Sequence, residues 1–383
     1  MKTSFNFQAP TKIVAGTNAL AGLSDVLGAL GNNVLIVTDT GVSNALDVPG
    51  TIARTLSDTG LQVAIFDDVE SNPRVDTVSR GAEAIRAHNT NAVVAVGGGS
   101  VIDSTKGMSI VAAYGGEIWD YVGDNLVPGP VTPIVTIPTT AGTGSEVNPF
   151  AVFTRSDTRR KDGLASRYIY PRVAILDPTT TVGLPAQLTA ETGIDALAHA
   201  IEGFTSPSCD HFSAALAKRS VALVGRALVR AVENGNDVDA RIEMATASAL
   251  AGLAIVGAGV GLAHGFGMSI GGLYDAPHGR VIGRLLPDGM AYNTPGAADR
   301  FADLAHILAS NDSAGLFDGL TDAADMVRRL RDRVGVPDRL DGVGVSAGNI
   351  DEILNDCMER QDMLNNAQSC TRDQAHAFLE SML

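Results

Sequence analysis

Apolar runs rich in β-branched residues alternate with helix-spaced stretches through the first half of the chain. Val34-Leu35-Ile36-Val37 reads as a buried strand and Leu61 to Phe66 as a second. Asn72-Pro73 has the form of a helix start, a cap followed by a first-turn proline, and the pattern after it predicts a helix to about His88. Ala92-Val93-Val94-Ala95-Val96 is a third strand that runs straight into Gly97-Gly98-Gly99-Ser100, with a helix predicted from there through Ala112. Ile134 to Ile137 is a fourth strand, and Val173 to Leu176 a last one before Asp177-Pro178. Alternation of this kind predicts a mainly parallel sheet covered by helices.

Past Leu188 the strand pattern stops. Thr189-Ala190-Glu191-Thr192 has the composition of a helix start, and segments 210–233, 238–256, 298–309, 318–334, 350–363 and 371–382 have helical periodicity. The fold expected is therefore an α/β N-terminal domain with a mainly parallel sheet, residues 1–182, and an all-helical C-terminal domain, residues 183–383, divided in the turn-rich stretch Pro178 to Pro185. Ala247 to Leu273 carries no Asp, Glu, Lys or Arg and is long enough to span a bilayer. Its many glycines and the internal His264 favour one or two buried helices, with Gly257, Gly261 and Gly265 letting neighbouring backbone approach.

The chain has 383 residues and a formal net charge of −15, which argues against nucleic acid and anionic membrane as partners. Its three cysteines, Cys209, Cys357 and Cys370, form no C-x-x-C pair and no disulfide framework, so a reducing cytoplasm is the expected home. Met1 to Asn6 shows no apolar signal-peptide region.

Chemistry concentrates in a few places. Asp195 and His199, in Gly193-Ile194-Asp195-Ala196-Leu197-Ala198-His199-Ala200-Ile201-Glu202, stand one helical turn apart beside an apolar stripe. A carboxylate drawn away from water needs a partner, and a divalent cation accepts both its oxygen and a neutral imidazole nitrogen. His264, inside the uncharged run, and His278, in Pro277-His278-Gly279, would complete one Asp and three His. The plainer alternative is an i,i+4 polar pair with two satisfied core histidines. Gly97-Gly98-Gly99-Ser100, between a strand and a helix, suits a phosphate at a helix N-terminus, or else makes only a tight turn. Asp103 and Lys106 follow on the helix, where Lys106 either touches phosphate or is a solvated surface lysine. Thr139 to Ser145 is a second loop of hydroxyls and glycines after a buried strand. Both loops fall at carboxyl ends of strands, where open parallel sheets bind ligands. Asp39, ending the first strand, suits the ribose hydroxyls of an adenosine and would repel a 2′-phosphate, favouring NAD over NADP. It serves equally as a turn or helix cap.

Taken together, Asp39, the G-G-G-S-x-x-D-x-x-K segment from Gly97 to Lys106, Thr139 to Glu146, Gly193 to Glu202, and Gly261-Leu262-Ala263-His264 through Pro277-His278-Gly279 resemble the iron-containing, or group III, alcohol dehydrogenase family over nearly the full length. The resemblance implies a dehydroquinate synthase-like fold, an α/β nucleotide-binding domain and a helical domain with the active site in the cleft between them. It implies Asp195, His199, His264 and His278 as ligands of a divalent metal, Fe2+ ahead of Zn2+. It implies Gly97, Gly98, Gly99, Ser100, Asp103, Thr139, Thr140 and Ser145 as lining NAD, with Lys161 near a phosphate- or ribose-contacting lysine. The expected reaction is hydride transfer between NAD(H) and a primary alcohol or aldehyde, in a homo-oligomer. Rival readings are a reductase of an acidic carbonyl compound of the maleylacetate or phosphonate-aldehyde type, served by Arg155, Arg159, Arg160 and Arg167, a lyase or synthase of the same fold, and a non-catalytic nucleotide-binding protein. Glu202, one turn beyond His199, either orients a ligand or is solvated or structural. Two positions depart from the family. Met268 stands where many members carry another histidine, and Asn366-Ala367-Gln368 stands where the family has Asn-Pro-Arg.

Overall fold

Strand β2 (Asn33–Asp39) and strand β4 (Ala92–Gly97) are buried along almost their whole length, as continuous runs of Val, Ile, Leu and Ala require when both sheet faces are covered. The computed structural model describes residues 1–41, 45–312 and 314–383, without the side chain of Asp341. The chain forms two units. The first comprises Ala9–Thr140 and Ser145–Leu184; the second comprises Met1–Gln8, Ala141–Gly144 and Pro185–Leu383.

In the first unit the remaining strands are β1 (Lys12–Ala15), β3 (Gln62–Val69), β5 (Gly123–Asp124), β6 (Ile134–Pro138), β7 (Phe150–Arg155), β8 (Arg160–Ala165) and β9 (Val173–Leu176). Among the described residues six of them form one sheet in the order β1-β9-β6-β4-β2-β3, every neighbouring pair parallel. Side chains alternate across this sheet. Leu35, Val37, Val93 and Ala95 join the core with helices α3 (Val75–Ala87) and α4 (Gly99–Tyr114). Val34, Ile36, Ala92, Val94 and Val96 join a separate core with α1 (Leu23–Gly28) and α2 (Val48–Asp58).

Several local expectations need correction. Helix α3 starts at Val75 with Arg74 as its extended cap, not at Asn72-Pro73. Asn72 takes a left-handed conformation, and its side-chain oxygen accepts from Lys161 Nζ at 2.8 Å. Edge strand β1 was not anticipated, because four largely exposed residues carry no alternation. Nor was the antiparallel β7–β8 hairpin. Arg155, Arg159 and Arg160 lie at its exposed turn, a basic surface loop. Arg155 pairs with Asp157 at 3.2 Å and Arg160 with Asp162 at 2.8 Å, while Arg167 lies over the Tyr168 ring.

The second unit is helical: α5 (Ala186–Thr205), α6 (His211–Glu233), α7 (Val238–Ala258), α8 (Leu262–Tyr274), α9 (His278–Asn293), α10 (Ala298–Ser310), α11 (Ala323–Arg333), α12 (Ile350–Cys357), α13 (Gln361–Leu364) and α14 (Arg372–Glu380). Asp210 and Asp237 cap α6 and α7 through their carboxylates. Helix α5 begins before Thr189, whose N–H bonds Pro185 O. The stretch 318–334 is helical only from Ala323, where Asp322 caps it. The stretch 350–363 breaks at Arg360, which is extended. The long uncharged run divides into α7 and α8 at Gly259, whose φ of +67° ends α7. A Cβ on Gly252 would stand 2.5 Å from Gly144 O, so a glycine there lets the 141–144 stretch lie against α7.

Candidate functional site

Helix α5 carries Asp195, His199 and Glu202 at i, i+4 and i+7, and buries all three among Ile194, Leu197, Ala198 and Ile201. Helix α8 brings in His264, and the first residue of α9 is His278, preceded by Pro277. The four side chains meet. His264 Nε2 and His278 Nε2 each stand 3.6 Å from Asp195 Oδ1, and His199 Nδ1 stands 3.9 Å from Asp195 Oδ2. The His199 and His264 rings are 4.3 Å apart between centroids, and those of His264 and His278 5.6 Å.

Asp195 Oδ1, His199 Nδ1 and His264 Nε2 are buried and have no hydrogen-bond partner among the described residues. Orphaned acceptors cost free energy in a low-dielectric interior unless something supplies positive charge. One ligand atom each from Asp195, His199 and His264 lies within 4.8 Å of the others. Oxygen and nitrogen ligands about 2.1 Å from a shared ion in tetrahedral array stand about 3.4 Å apart, close to the separations here. The donor set of one carboxylate and three imidazoles therefore fits a first-row divalent metal.

Glu202 lies behind this cluster. Its Oε2 is 2.5 Å from His264 Nδ1, and its two oxygens accept from Gly261 N at 3.0 Å and Ala263 N at 2.7 Å. A carboxylate on Nδ1 holds a ring proton at that nitrogen and leaves Nε2 as the atom that faces Asp195 and would face a metal. Of the two readings of Glu202, contact with a cluster histidine is the one observed. The electrostatics of the cluster favour lone pairs on Asp195 and His199, while His264 would exchange its Nε2 proton for a metal. Burial pushes the Asp195 carboxyl up, but the three imidazoles outweigh it and hold the group well below the usual carboxylate range. Burial lowers His199 to about 4, so its ring is neutral. Burial opposes an imidazolium at His264 too, yet Glu202 and Asp195 together raise it to about 10.

In the α/β unit Gly97 ends β4, Gly98 caps α4, and Gly99 and Ser100 form its first turn, partly exposed. Thr139 N donates to Gly97 O at 3.1 Å, and a Cβ on Gly98 would stand 3.1 Å from Thr140 Oγ1. The glycine turn and the Thr139–Thr140 loop are thus side by side. Ser145 is turned away into a polar cluster: its hydroxyl donates to Asp103 Oδ1, and Asp103 Oδ2 accepts from Val152 N at 3.0 Å. Burial raises the Asp103 carboxyl, with Lys106 opposing. Lys106 matches neither a phosphate contact nor a solvated lysine. It is fully buried and donates to Ser145 O, Ser145 Oγ, Asn148 O, Asn148 Oδ1 and Phe150 O. Lys161 is buried on β8, bonded to Asn72, and Asp39 Oδ1 accepts from Gly41 N at 2.8 Å at the end of β2.

Comparison with known proteins bears on both units. The profile of the iron-containing alcohol dehydrogenases matches residues 10–178, and that of the C-terminal part of the same family matches residues 189–383. The 1,3-propanediol dehydrogenase of Klebsiella pneumoniae is 37% identical over 346 residues, covering 89% of each chain. The NAD-dependent methanol dehydrogenase of Bacillus methanolicus is 36% identical over 366 residues, covering 92% of this chain and 93% of its own. The crystal structure of sulfoacetaldehyde reductase from Bifidobacterium kashiwanohense in complex with NAD+ superposes with a TM-score of 0.86 at 28% identity, covering 100% of this chain and 99% of that one. With both of its halves matched and an Asp–His–His–His cluster in its helical unit, the chain belongs to the iron-containing alcohol dehydrogenase family.

Proposed function

We propose that this protein is a metal-dependent NAD(H) oxidoreductase that interconverts a primary alcohol and an aldehyde. The observation that carries the reading is the convergence of Asp195, His199, His264 and His278 with three orphaned acceptor atoms among them. These four residues would hold a divalent metal, Fe2+ ahead of Zn2+, which when bound supplies Lewis-acid polarisation of a substrate oxygen. NAD supplies the hydride acceptor or donor.

The chain's own residues account for the rest. Asp195 stays ionised and His199 neutral, so both offer lone pairs near neutral pH. Glu202 holds the His264 proton on Nδ1. Gly97, Gly98, Gly99 and Ser100 would cradle the NAD phosphates at the start of α4, with Thr139 and Thr140 beside them. Asp39 would take the adenosine ribose. Asp103, Ser145 and Lys161 complete the cofactor side, the first two from behind through the Ser145–Asp103 bond. Met268, one turn beyond His264 on α8, is buried and carries a thioether that cannot accept a proton, so this side chain takes no part in moving the alcohol proton, for which a ribose hydroxyl of NAD and water would offer another route. Residues 1–182 would form the nucleotide domain and 183–383 the metal domain. The free buried thiols Cys209 and Cys357 support a reducing cytoplasm. A homo-oligomer is supported by the exposed Ile13 on edge strand β1 and the exposed ring of Phe212, to be read as a sedimentation mass at least twice that of the chain.

Reduction of an acidic carbonyl compound is the second reading, favoured by the structural likeness to a sulfoacetaldehyde reductase. The acid partners of Arg155 and Arg160 weigh against it. Anaerobic purification, metal analysis and NADH oxidation with neutral and anionic aldehydes separate the two. Asp195→Ala or His278→Ala should lose metal and at least about a hundredfold of activity together. Full turnover by a thoroughly chelated enzyme would sink the proposal.

A further inference from the structure

The N-terminus of α8, which presents His264, is not capped by its own cap residue, Gly261. Distant side chains hold it instead. Glu202 takes the N–H groups of Gly261 and Ala263, and the N–H between them, that of Leu262, donates to Asn366 Oδ1 at 3.2 Å. Asn366 is buried, and its amide is locked on every side. Its oxygen also accepts from Asn293 Nδ2 at 2.8 Å, while its Nδ2 donates to Asn293 Oδ1 at 2.7 Å and to Gln368 O at 2.8 Å. The preceding residue holds the other side of the same turn. Asn365 Nδ2 donates to Ala258 O at 2.8 Å and Val260 O at 2.9 Å, and its Oδ1 accepts from Ser206 Oγ at 3.2 Å. The α7–α8 turn leaves no room for slack. A Cβ on Gly261 would stand 3.0 Å from Asn366 Oδ1, and one on Gly259 2.9 Å from Asn365 Nδ2.

We propose that Asn366, with Asn365 beside it and Asn293 as its brace, is a positioning residue for the metal centre: it fixes the start of α8 and thereby the place of His264. This rests on the reading of Asp195, His199, His264 and His278 as metal ligands. Three consecutive N–H groups, held alternately by Glu202 and Asn366, define where the first turn of α8 lies, and His264 is the next residue. With Asn366 gone, Glu202 alone sets that turn, and the His264–Asp195 separation loses its second restraint. A carboxylate would not replace the amide, because it cannot donate to Asn293 Oδ1 or Gln368 O and would stand near Glu202 as a second buried negative charge.

The test uses Co2+ as the probe, since its visible spectrum reports ligand geometry. Full-length wild type, Asn366→Ala and Asn366→Asp are loaded with Co2+, and its release into excess chelator is timed. Both variants should release the ion about tenfold faster than wild type, with a shifted visible band. Leu308→Ala, a core truncation in α10, supplies a destabilised control and should keep the wild-type rate and band. Unchanged release and spectrum in the Asn366 variants, or equal loss in the control, overturns the inference. If neither Asn366 variant folds, Asn293→Ala removes the brace while leaving the Leu262 acceptor. It should also release Co2+ faster, and a wild-type rate there overturns the inference. A wild type that takes up no Co2+ overturns the metal reading itself, and this inference with it.

Discussion

Cys357 shows how far a single buried side chain departs from its solution chemistry. It is fully inside the core between α12 and its neighbours, and burial, aided by Asp356, pushes its thiol up to about 12 from the ordinary 9. The folded chain therefore holds this proton where the unfolded chain releases it. The resulting stability is fully present below pH 9 and lost as pH rises toward 12. Chemical denaturation of wild type and Cys357→Ala at pH 8 and pH 10 should show the wild-type advantage shrinking by up to about 1.4 kcal/mol per pH unit above 9. An advantage that stays constant or grows would contradict the burial argument. The same residue scale separates what sequence could and could not say of the site. Asp195 and His199 announce themselves by i,i+4 spacing, and Glu202 continues their face. Asn366 gives no such signal, because its partners Leu262 and Asn293 lie 104 and 73 residues away.

At the scale of elements, α4 and the segment 145–150 are joined through one ammonium group. Lys106 projects from α4 and sets its three N–H donors among five oxygens of Ser145, Asn148 and Phe150, while Asp103 one turn earlier accepts from Ser145. Burial lowers the lysine to about 8, with Asp103 and Glu146 opposing. Lys106→Met keeps the volume but strands acceptors among those oxygens and removes the charge that most opposes the burial of the Asp103 carboxylate. It should cost about 3–5 kcal/mol of unfolding free energy by denaturant titration. A loss under 1 kcal/mol would show that the segment holds its shape without the lysine. Strands β2, β4, β6 and β9 were legible because buried parallel strands read as unbroken β-branched runs. Strands β1 and β8 were not, since an exposed edge and the charged start of Arg160–Ala165 lack that run, whereas β7 carries the apolar run Phe150 to Phe153 but pairs antiparallel, outside the parallel sheet.

For the whole molecule, ligand binding and stability are linked. A metal held only by the folded helical unit stabilises it in proportion to the logarithm of free metal over Kd, about 4 kcal/mol at a thousandfold excess. Stripping with chelator should therefore lower the helical melting transition, followed by circular dichroism, by several degrees, and restoring Fe2+ or Zn2+ should recover it. A transition indifferent to both treatments would separate the Asp195 cluster from any metal. The division of labour also differs in kind between the units. The α/β unit presents backbone, a glycine turn and a threonine loop, whereas the helical unit presents side chains converging from three helices.

Sequence alone determined the succession of elements, the parallel sheet followed by helices, and the residue types of the cluster, because periodicity and i,i+4 spacing are local properties written in neighbouring residues. Tertiary structure alone decided that Lys106 is buried under a segment 39–44 residues onward, that Glu202 faces His264, and that a C-terminal asparagine seats the start of α8. Those contacts join positions far apart in the chain. Hydrogen bonds between them depend on where packed helices bring their ends, and no local pattern of polar and apolar residues encodes that.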